Sequence, residues 1–134
     1  MKKPILFITI ILFCLSATQA IGDSLSQVST KGLFKVEMSI LGKNLRVGKN
    51  KAEILVRDKD GKGVKGARVT VLPFIFQHGE SAFVKPKVTE IAGGRYSIED
   101  IYFEIQGHWV LKITIGKDGQ EDSVTFDFPE IKRE

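Results

Sequence analysis

Residues 57–79 read RDKDGKGVKGARVTVLPFIFQHG and carry the clearest structural signals in the chain. Asp60 and Gly61 predict a reversal, because glycine adopts positive φ without a steric cost. Val69 and Val71 alternate with polar residues, as the side chains of a strand do when they point to opposite faces in turn. The stretch therefore predicts two strands joined by a hairpin turn, and then an apolar run that ends at a histidine.

Alternation with period two continues outward from this stretch in both directions, and no segment shows a helical stripe. Gly93-Gly94 and Asp118-Gly119 supply further turn signals. About seven short strands separated by turns predict an all-β fold, a single immunoglobulin-like β-sandwich of antiparallel strands, with a small barrel as the alternative. The side chains expected to face inward are Phe34, Val36, Met38, Ile40, Ala52, Ile54, Val56, Val69, Val71, Tyr96, Ile98, Trp109, Leu111, Ile113, Ile115, Val124, Phe126 and Phe128.

The first 20 residues have the composition of a secretory signal peptide. Lys2 and Lys3 form a basic start, Ile5 to Leu15 is an almost unbroken apolar run, and Thr18-Gln19-Ala20 offers the small residues that a signal peptidase reads. The apolar run is far shorter than the roughly 20 residues of a spanning helix. Cleavage after Ala20 is therefore favoured over a retained anchor, which predicts a periplasmic or secreted protein with no stable membrane span.

Removal of residues 1–20 leaves 114 residues, enough for one domain with its own core. Residues 21–32 are polar and unpatterned and are expected to form a flexible leader. The β-sandwich is expected over residues 33–130, followed by a C-terminal tail at 131–134. The single cysteine, Cys14, is lost with the signal, so the mature chain forms no internal disulfide and its stability depends on its core.

Charge and motifs exclude several classes of function. Loss of the two N-terminal lysines lowers the formal net charge from +4 to +2, and acidic residues are interspersed throughout, so no nucleic-acid-binding stripe exists. The chain contains no nucleophile-bearing Gly-x-Ser-x-Gly, no His-Glu-x-x-His and no phosphate-binding glycine loop. The sequence therefore predicts a protein that is not an enzyme.

His78 and His108 are the only two histidines, and each lies beside a glycine. Neutral imidazole is a common metal ligand, and two imidazoles with a carboxylate such as Glu80 could hold Cu(II) or Zn(II). Two ligands are few for a tight site. The alternative is a pair of surface histidines whose polar atoms are satisfied by local hydrogen bonds.

The run from Leu72 to Phe76 contains five consecutive apolar residues. If it continues the preceding strand, only half of its side chains point inward. An exposed aromatic edge would mark a surface for a partner or ligand, whereas packing in the core or under a loop is the alternative. The candidate partner contacts are Phe74, Ile75, Phe76 and Gln77.

The order of several short motifs resembles that of the YtkA-like domain family, which is related to FixH. The resemblance covers residues 33–128, nearly the whole mature domain. It depends on the sequence of all the motifs together, since each one alone also occurs in other extracellular β-sandwiches. The matching residues are Gly48-Lys49-Asn50, Asp58 to Val69, Pro73, His78-Gly79, Gly94-Arg95-Tyr96 and Gly107-His108-Trp109.

The resemblance implies an exported or membrane-tethered, non-enzymatic domain found beside copper export or cytochrome oxidase assembly systems. Family members often carry Met-Pro-x-Met-x-His where this chain has LPFIFQH at residues 72–78. Thioether sulfur suits Cu(I), whereas leucine, isoleucine and phenylalanine offer no lone pair. Only Pro73, His78 and Gly79 carry over, so the substitutions argue against a copper site of the family type.

Two functions follow as hypotheses. The first is an interaction or accessory module that contacts a membrane or periplasmic protein complex, one that handles metal or assembles an oxidase, through sheet edges and the Phe74 to Gln77 segment. The second is a periplasmic carrier that binds copper with His78 and His108. The sequence establishes no cofactor, and copper is the candidate that the resemblance brings forward.

Overall fold

The computed structural model describes residues 24–42, 44–76 and 84–133, and within these ranges the chain forms strands and turns but no helix. No helix in these ranges could therefore cross a membrane. The strands are β1 (Ser24–Val28), β2 (Lys35–Leu41), β3 (Gly48–Arg57), β4 (Arg68–Ile75), β5 (Lys87–Ala92), β6 (Arg95–Phe103), β7 (Gly107–Lys117) and β8 (Gln120–Ile131).

The strands form two antiparallel sheets, ordered β1-β2-β3-β6-β5 and β4-β7-β8. Strands β2-β3-β6-β5 reproduce the A-B-E-D sheet of an immunoglobulin constant domain, and β4-β7-β8 reproduce its C-F-G sheet. β1 is an additional strand beyond the A position. The predicted immunoglobulin-like β-sandwich is confirmed, with one strand more than expected.

The core lies between the two sheets and is built from the alternate residues that the sequence indicated. Val36, Ile54 and Ile98 of the larger sheet are fully buried, as are Leu111 and Ile113 of the smaller sheet. Because successive side chains of each strand point to opposite faces, the second face of each sheet lies outside the core.

The turn at Asp58 forms as predicted, but it does not join a hairpin. The Asp58 carboxylate accepts the N–H groups of Asp60 and Lys62 at 2.9 and 3.0 Å. β3 then pairs with β2 and β6, whereas β4 lies in the other sheet and pairs with β7. The hairpin prediction was therefore wrong: since both strands bury apolar side chains in the same core from opposite sides, the chain changes sheets at this corner.

Tyr96 fastens this corner to the larger sheet. Its Oη donates to the carbonyl of Val64 at 2.7 Å and accepts the N–H of Ala67 at 3.0 Å. Glu90 accepts the N–H of Gly66 with both carboxylate oxygens. Burial raises the pKa of Tyr96 above its ordinary value, so the phenol stays protonated and remains a donor.

The boundaries of the fold differ from the predicted ones at both ends. Residues 24–28, expected in the leader, form β1, and the segment after it is tied to β8 because Asp122 accepts the N–H groups of Lys31 and Leu33. All five β1 side chains are exposed. The β1 sequence therefore lacks the alternation of apolar and polar residues by which a strand can be predicted. At the other end, β8 continues to the buried Ile131, which was expected in the tail.

The sandwich has two ends with different connections. The turn pole contains the β1–β2 turn at residues 29–34, the corner at 58–66, the β5–β6 turn at 93–94 and the β7–β8 turn at 118–119. The loop pole contains the described residues 41–42, 44–47, 76, 84–86 and 104–106, together with 132–133. Since β1 begins at the loop pole, the chain also enters the described structure there, at Ser24.

Candidate functional site

The outer face of the three-stranded sheet carries a row of apolar side chains along β4 and the residue that follows it. Leu72 and Phe76 are 40% and 62% exposed, and Phe74 between them is half-buried. Phe74 lies opposite Val110 of β7 in the strand register. We call Leu72, Phe74, Phe76 and Val110 the β4 face.

The apolar run divides between the two faces of the sheet. Val71 and Pro73 are buried on the inner side, and Ile75 packs against the core. Val110, by contrast, is buried although it does not belong to the core cluster, so apolar packing also exists on the outer side. Of the four predicted partner contacts, Phe74 and Phe76 therefore lie on the outer face, Ile75 lies inside, and Gln77 is outside the described residues.

Pro73 decides how β4 can be approached. The N–H of Phe76 donates to the carbonyl of His108 at 2.8 Å, so the N–H groups at every second position before it also point toward β7. The nitrogen of Pro73 consequently points to the free edge of β4, where an added strand would need a donor. Proline on an edge strand blocks strand addition. Contact at β4 must therefore use the side chains of its outer face.

His108 connects the β4 face to β8. Its imidazole stacks on the ring of Phe76, with centroids 4.6 Å apart and planes inclined by 17°. Its Nε2 contacts Oδ1 of Asp127 on β8. The Phe76 ring, the His108 imidazole and the Asp127 carboxylate thus form a row from the end of β4 across β7 to β8. This row fixes the Phe76 ring against the outer face of the sheet.

The start of β7, which presents His108, is positioned from beneath by Trp109. The indole N–H donates to the carbonyl of Ile105 at 2.8 Å, and its ring lies 5.1 Å from that of Phe103 in a tilted arrangement. Gly107 has φ of +148°, and a Cβ there would lie 3.4 Å from Cδ1 of Ile75. The positive φ favours glycine at this position, whereas the distance to Ile75 is an ordinary van der Waals contact. Trp109 is buried, as the alternation predicted.

The two histidines predicted as metal ligands cannot be compared directly, because His78 lies outside the described residues. His108 is engaged by Phe76 and Asp127. Across residues 24–42, 44–76 and 84–133, no three His, Cys, Asp or Glu side chains are grouped so that they could hold a metal ion.

Asp127 was not among the predicted site residues, although the sequence contains a signal for it. Asp127 lies between Phe126 and Phe128, so it points outward, and His108 precedes the inward Trp109, so it also points outward. Counting back along both strands from the Asp118-Gly119 turn places the two side chains diagonally across β7 and β8.

A family model described as YtkA-like matches residues 30–114, well over half of the chain. The chain belongs to the YtkA-like family. The match runs from the segment before β2 through most of β7, so that in this YtkA-like chain Pro73, Phe76 and His108 lie inside the matched region and Asp127 lies beyond it. The relation to FixH stays a prediction.

The fold of this YtkA-like chain is similar to a solved structure of another family. The crystal structure of a DUF4426 family protein from Pseudomonas aeruginosa PAO1 aligns with a TM-score of 0.55 and 15% sequence identity, over 81% of this chain and 96% of that chain. At this identity the likeness shows a common fold alone. No curated protein matches the chain.

Proposed function

We propose that this YtkA-like chain is an exported, non-enzymatic accessory module that binds a protein of a membrane complex through the β4 face. The observation that carries the proposal is the row of Leu72, Phe74 and Phe76 on the outer side of an edge strand. The remaining outward positions of this sheet are polar or charged, so the row forms a local apolar patch. Among these positions, the polar or charged side chains nearest to the row are Thr70, His108, Lys112, Thr114, Thr125 and Asp127, and the exposed Pro129 of β8 is the apolar exception.

Burial of the row by a partner would be favourable, at about 25 cal/mol for each Å² of apolar surface removed from water. Aromatic side chains near the centre of an interface often dominate its binding energy. Stacking on His108 restricts the Phe76 ring before any partner arrives. Phe76 therefore loses less rotamer freedom on binding than a free side chain would.

Charged groups flank the patch and provide a polar rim. Lys112 lies opposite Leu72, and Asp127 lies opposite Val110 in the register. Charges of both signs at a rim contribute to orientation and to the rate of encounter more than to affinity. This arrangement favours a specific protein partner with complementary charges.

The location and the absence of catalysis are supported by the sequence. The N-terminal basic start, apolar run and small-residue site are typical of an exported protein. The chain lacks the sequence motifs of the common nucleophilic, metal-dependent and phosphate-binding enzymes. Copper carriage by His78 and His108 is the alternative function, and it has less support because residues 72–78 lack the methionine ligands that family members often carry there.

Photo-crosslinking in the producing cells tests the proposal. A photoreactive amino acid is placed at position 72 on the β4 face, and in a control chain at Ile91, which is 51% exposed on β5 of the other sheet. We expect position 72, but not position 91, to crosslink one membrane protein, and Phe74→Ser with Phe76→Ser to abolish that product. Equal products from both positions, or a product that survives the double substitution, would contradict the proposal.

Metal titration of the purified chain tests the alternative. The carrier function requires Cu(I), Cu(II) or Zn(II) binding that is tighter than about 1 μM and is lost in His78→Ala and His108→Ala. We expect no such binding. A micromolar or tighter site that depends on both histidines would favour the carrier over the accessory module.

A further inference from the structure

Exposed apolar side chains are concentrated at the loop pole. Leu41, Phe76, Val84 and Ile105 are all exposed there, and they come from separate parts of the chain. Leu25, near the start of β1, is also exposed beside this pole. Single apolar residues on a surface are ordinary, but their collection at one end is not.

The turn pole has a different composition. Its corner carries the charged residues of the Asp58 to Lys65 segment, and its three hairpin turns are residues 29–34, Gly93-Gly94 and Asp118-Gly119. Two exposed apolar side chains lie near this end, Val28 at the last position of β1 and Ile91 within β5, against four at the loop pole. The sandwich therefore has one polar end and one end with apolar tips.

Cationic side chains surround the apolar tips. The described connections and C-terminal residues of the loop pole contain Arg46, Lys85, Lys132 and Arg133, against one acidic residue, Glu104. Lys132 also pairs with Glu130 near the end of β8 at 3.5 Å. The loop pole keeps a positive balance, which is complementary to an anionic surface.

We propose that the loop pole docks on the surface of a phospholipid bilayer that contains anionic headgroups. Leu41, Val84 and Ile105 enter the boundary between headgroups and acyl chains, while Lys85 and its cationic neighbours contact lipid phosphates. Shallow insertion of apolar side chains combined with attraction to anionic lipids is a general mode of peripheral membrane binding. Apolar side chains that project from separate connections can each insert into a fluid lipid surface, whereas binding in a protein pocket would require them to match one fixed shape.

The course of the chain agrees with this orientation. Nine residue steps separate Leu15, the end of the N-terminal apolar run, from Ser24 at the loop pole. Their fully extended reach is about 30 Å. Before signal cleavage, a membrane-inserted N-terminal segment would therefore keep Ser24 at the loop pole within about 30 Å of the bilayer.

Lipid contact at the loop pole is separate from protein contact at the β4 face. When the pole rests on the bilayer, the β4 face is directed along the membrane plane, toward the exposed part of a membrane protein. Phe76, at the end of the row, is the only residue common to both surfaces. The two contacts can therefore be tested with different substitutions.

Vesicle binding by residues 21–134, the expected mature chain that contains every described strand, tests lipid docking. Vesicles of phosphatidylcholine alone are compared with vesicles that contain phosphatidylglycerol. We expect binding to the anionic vesicles that falls with added salt, and a loss of roughly five- to tenfold in Leu41→Ser with Ile105→Ser. Val28→Ser with Ile91→Ser is the matched control and should bind like the parent chain.

A second readout does not depend on the stability of these variants. The expected mature chain has no cysteine, so Ile105→Cys and Ile91→Cys each give a single site for an environment-sensitive fluorophore. A blue shift on anionic vesicles at position 105 but not at 91 would support docking. No shift at 105, or equal shifts at both positions, would overturn it.

The two proposals fail independently in this design. Phe74→Ser removes part of the β4 face and leaves the tips of the loop pole intact, so it should lose the membrane-protein crosslink while retaining vesicle binding. Vesicle binding lost in this variant would overturn the assignment of lipid contact to the loop pole.

Discussion

At the scale of single residues, Asp122 is a buried carboxylate that several hydrogen bonds hold in place. Its buried carboxylate accepts the N–H groups of Lys31, Leu33 and Ser123 and a hydrogen bond from Ser29. Burial raises the pKa of Asp122, but these hydrogen bonds outweigh burial and lower the pKa from 3.8 to about 2. Asp122 therefore acts as an ionised clamp between β8 and the β1–β2 turn.

Asp122→Asn should lower the free energy of unfolding by about 1–3 kcal/mol, because an amide replaces one acceptor oxygen with a donor that faces other donors. Urea denaturation at neutral pH measures the loss. Asp118→Asn, at an exposed position of the neighbouring turn, is the control and should change stability by less than about 0.5 kcal/mol. Equal effects of the two substitutions would contradict the clamp.

The clamp also predicts a dependence on pH. Since the folded-state pKa is lowered, the stabilisation by Asp122 is present above its ordinary pKa of 3.8 and is lost as the pH falls from there toward about 2. The stability difference between the parent chain and Asp122→Asn should therefore shrink between pH 5 and about pH 2. A constant difference over this interval would show that ionisation of Asp122 is not the source.

Tyr96→Phe should cost about 1–3 kcal/mol, because the buried carbonyl of Val64 and the N–H of Ala67 lose their shared partner. Thermal or urea unfolding measures this cost. Tyr102→Phe on the same strand, where the side chain is only half-buried, is the control. A cost no larger than that of Tyr102→Phe would mean that the Tyr96 hydroxyl does not fasten the corner.

At the scale of elements, Gly61 in the corner and Gly94 in the β5–β6 turn differ in how closely other atoms pack around them. Gly94 has φ of +92°, and a Cβ there would lie 2.6 Å from the Val64 nitrogen and 2.8 Å from the Val56 carbonyl oxygen. Gly61 has φ of +80° but no neighbour within 4 Å. Both positions favour glycine by backbone conformation, and only Gly94 requires it for space.

Gly94→Ala should therefore destabilise the fold by more than about 3 kcal/mol, whereas Gly61→Ala should cost only the strain of positive φ, about 1 kcal/mol. Comparing the free energies of unfolding of the two variants separates the cost of a steric clash from the cost of backbone strain. Similar losses in both would contradict the close packing of the hairpin against the corner.

The edge strand β4 gives a prediction about association. Pro73→Val keeps an apolar side chain at the buried position and adds an N–H on the free edge. We expect more self-association in sedimentation experiments, because an unblocked edge is a template for pairing. Val71→Ala, which leaves the edge donors unchanged, is the control. If Pro73→Val showed no more self-association than the parent chain, Pro73 would not protect this edge.

Sequence patterns predicted those elements whose side chains alternate between core and solvent. Val36, Ile54 and Leu111 have such alternation and were correctly placed inside. β1 could not be found this way, since all of its side chains are exposed and its pairing with β2 depends on backbone hydrogen bonds. A turn sequence such as Asp60-Gly61 specifies a reversal, but the sheet that the next strand joins depends on core packing.

The β4 face, like the fold, was predictable from the sequence only in part. Period two correctly implied that only half of the run from Leu72 to Phe76 faces inward. Which half is exposed follows from the pairing of β4 with β7, and the contacts of His108 with Phe76 and Asp127 follow from pairing across three strands. Such nonlocal contacts are set by the register of the sheet, which alternation in a single strand does not specify.

At the scale of the whole molecule, the sandwich presents three distinct surfaces. Its turn pole is polar, its loop pole combines apolar tips with cationic residues, and its β4 face is an apolar row with a charged rim. A domain that rests on lipid at one pole and meets a membrane protein at its side needs only these surfaces and no catalytic group. The β4 face is central to this account because it is the proposed binding surface for the protein partner.

Thiol protection in intact cells tests the β4 face most directly. Leu72→Cys and Ile91→Cys place a single thiol in the expected mature chain at residues with similar exposure, 40% and 51%. We predict that both thiols react with a reagent in the purified protein, and that in cells only the thiol at position 72 is protected. Equal labelling of both positions in cells would contradict a partner bound at the β4 face.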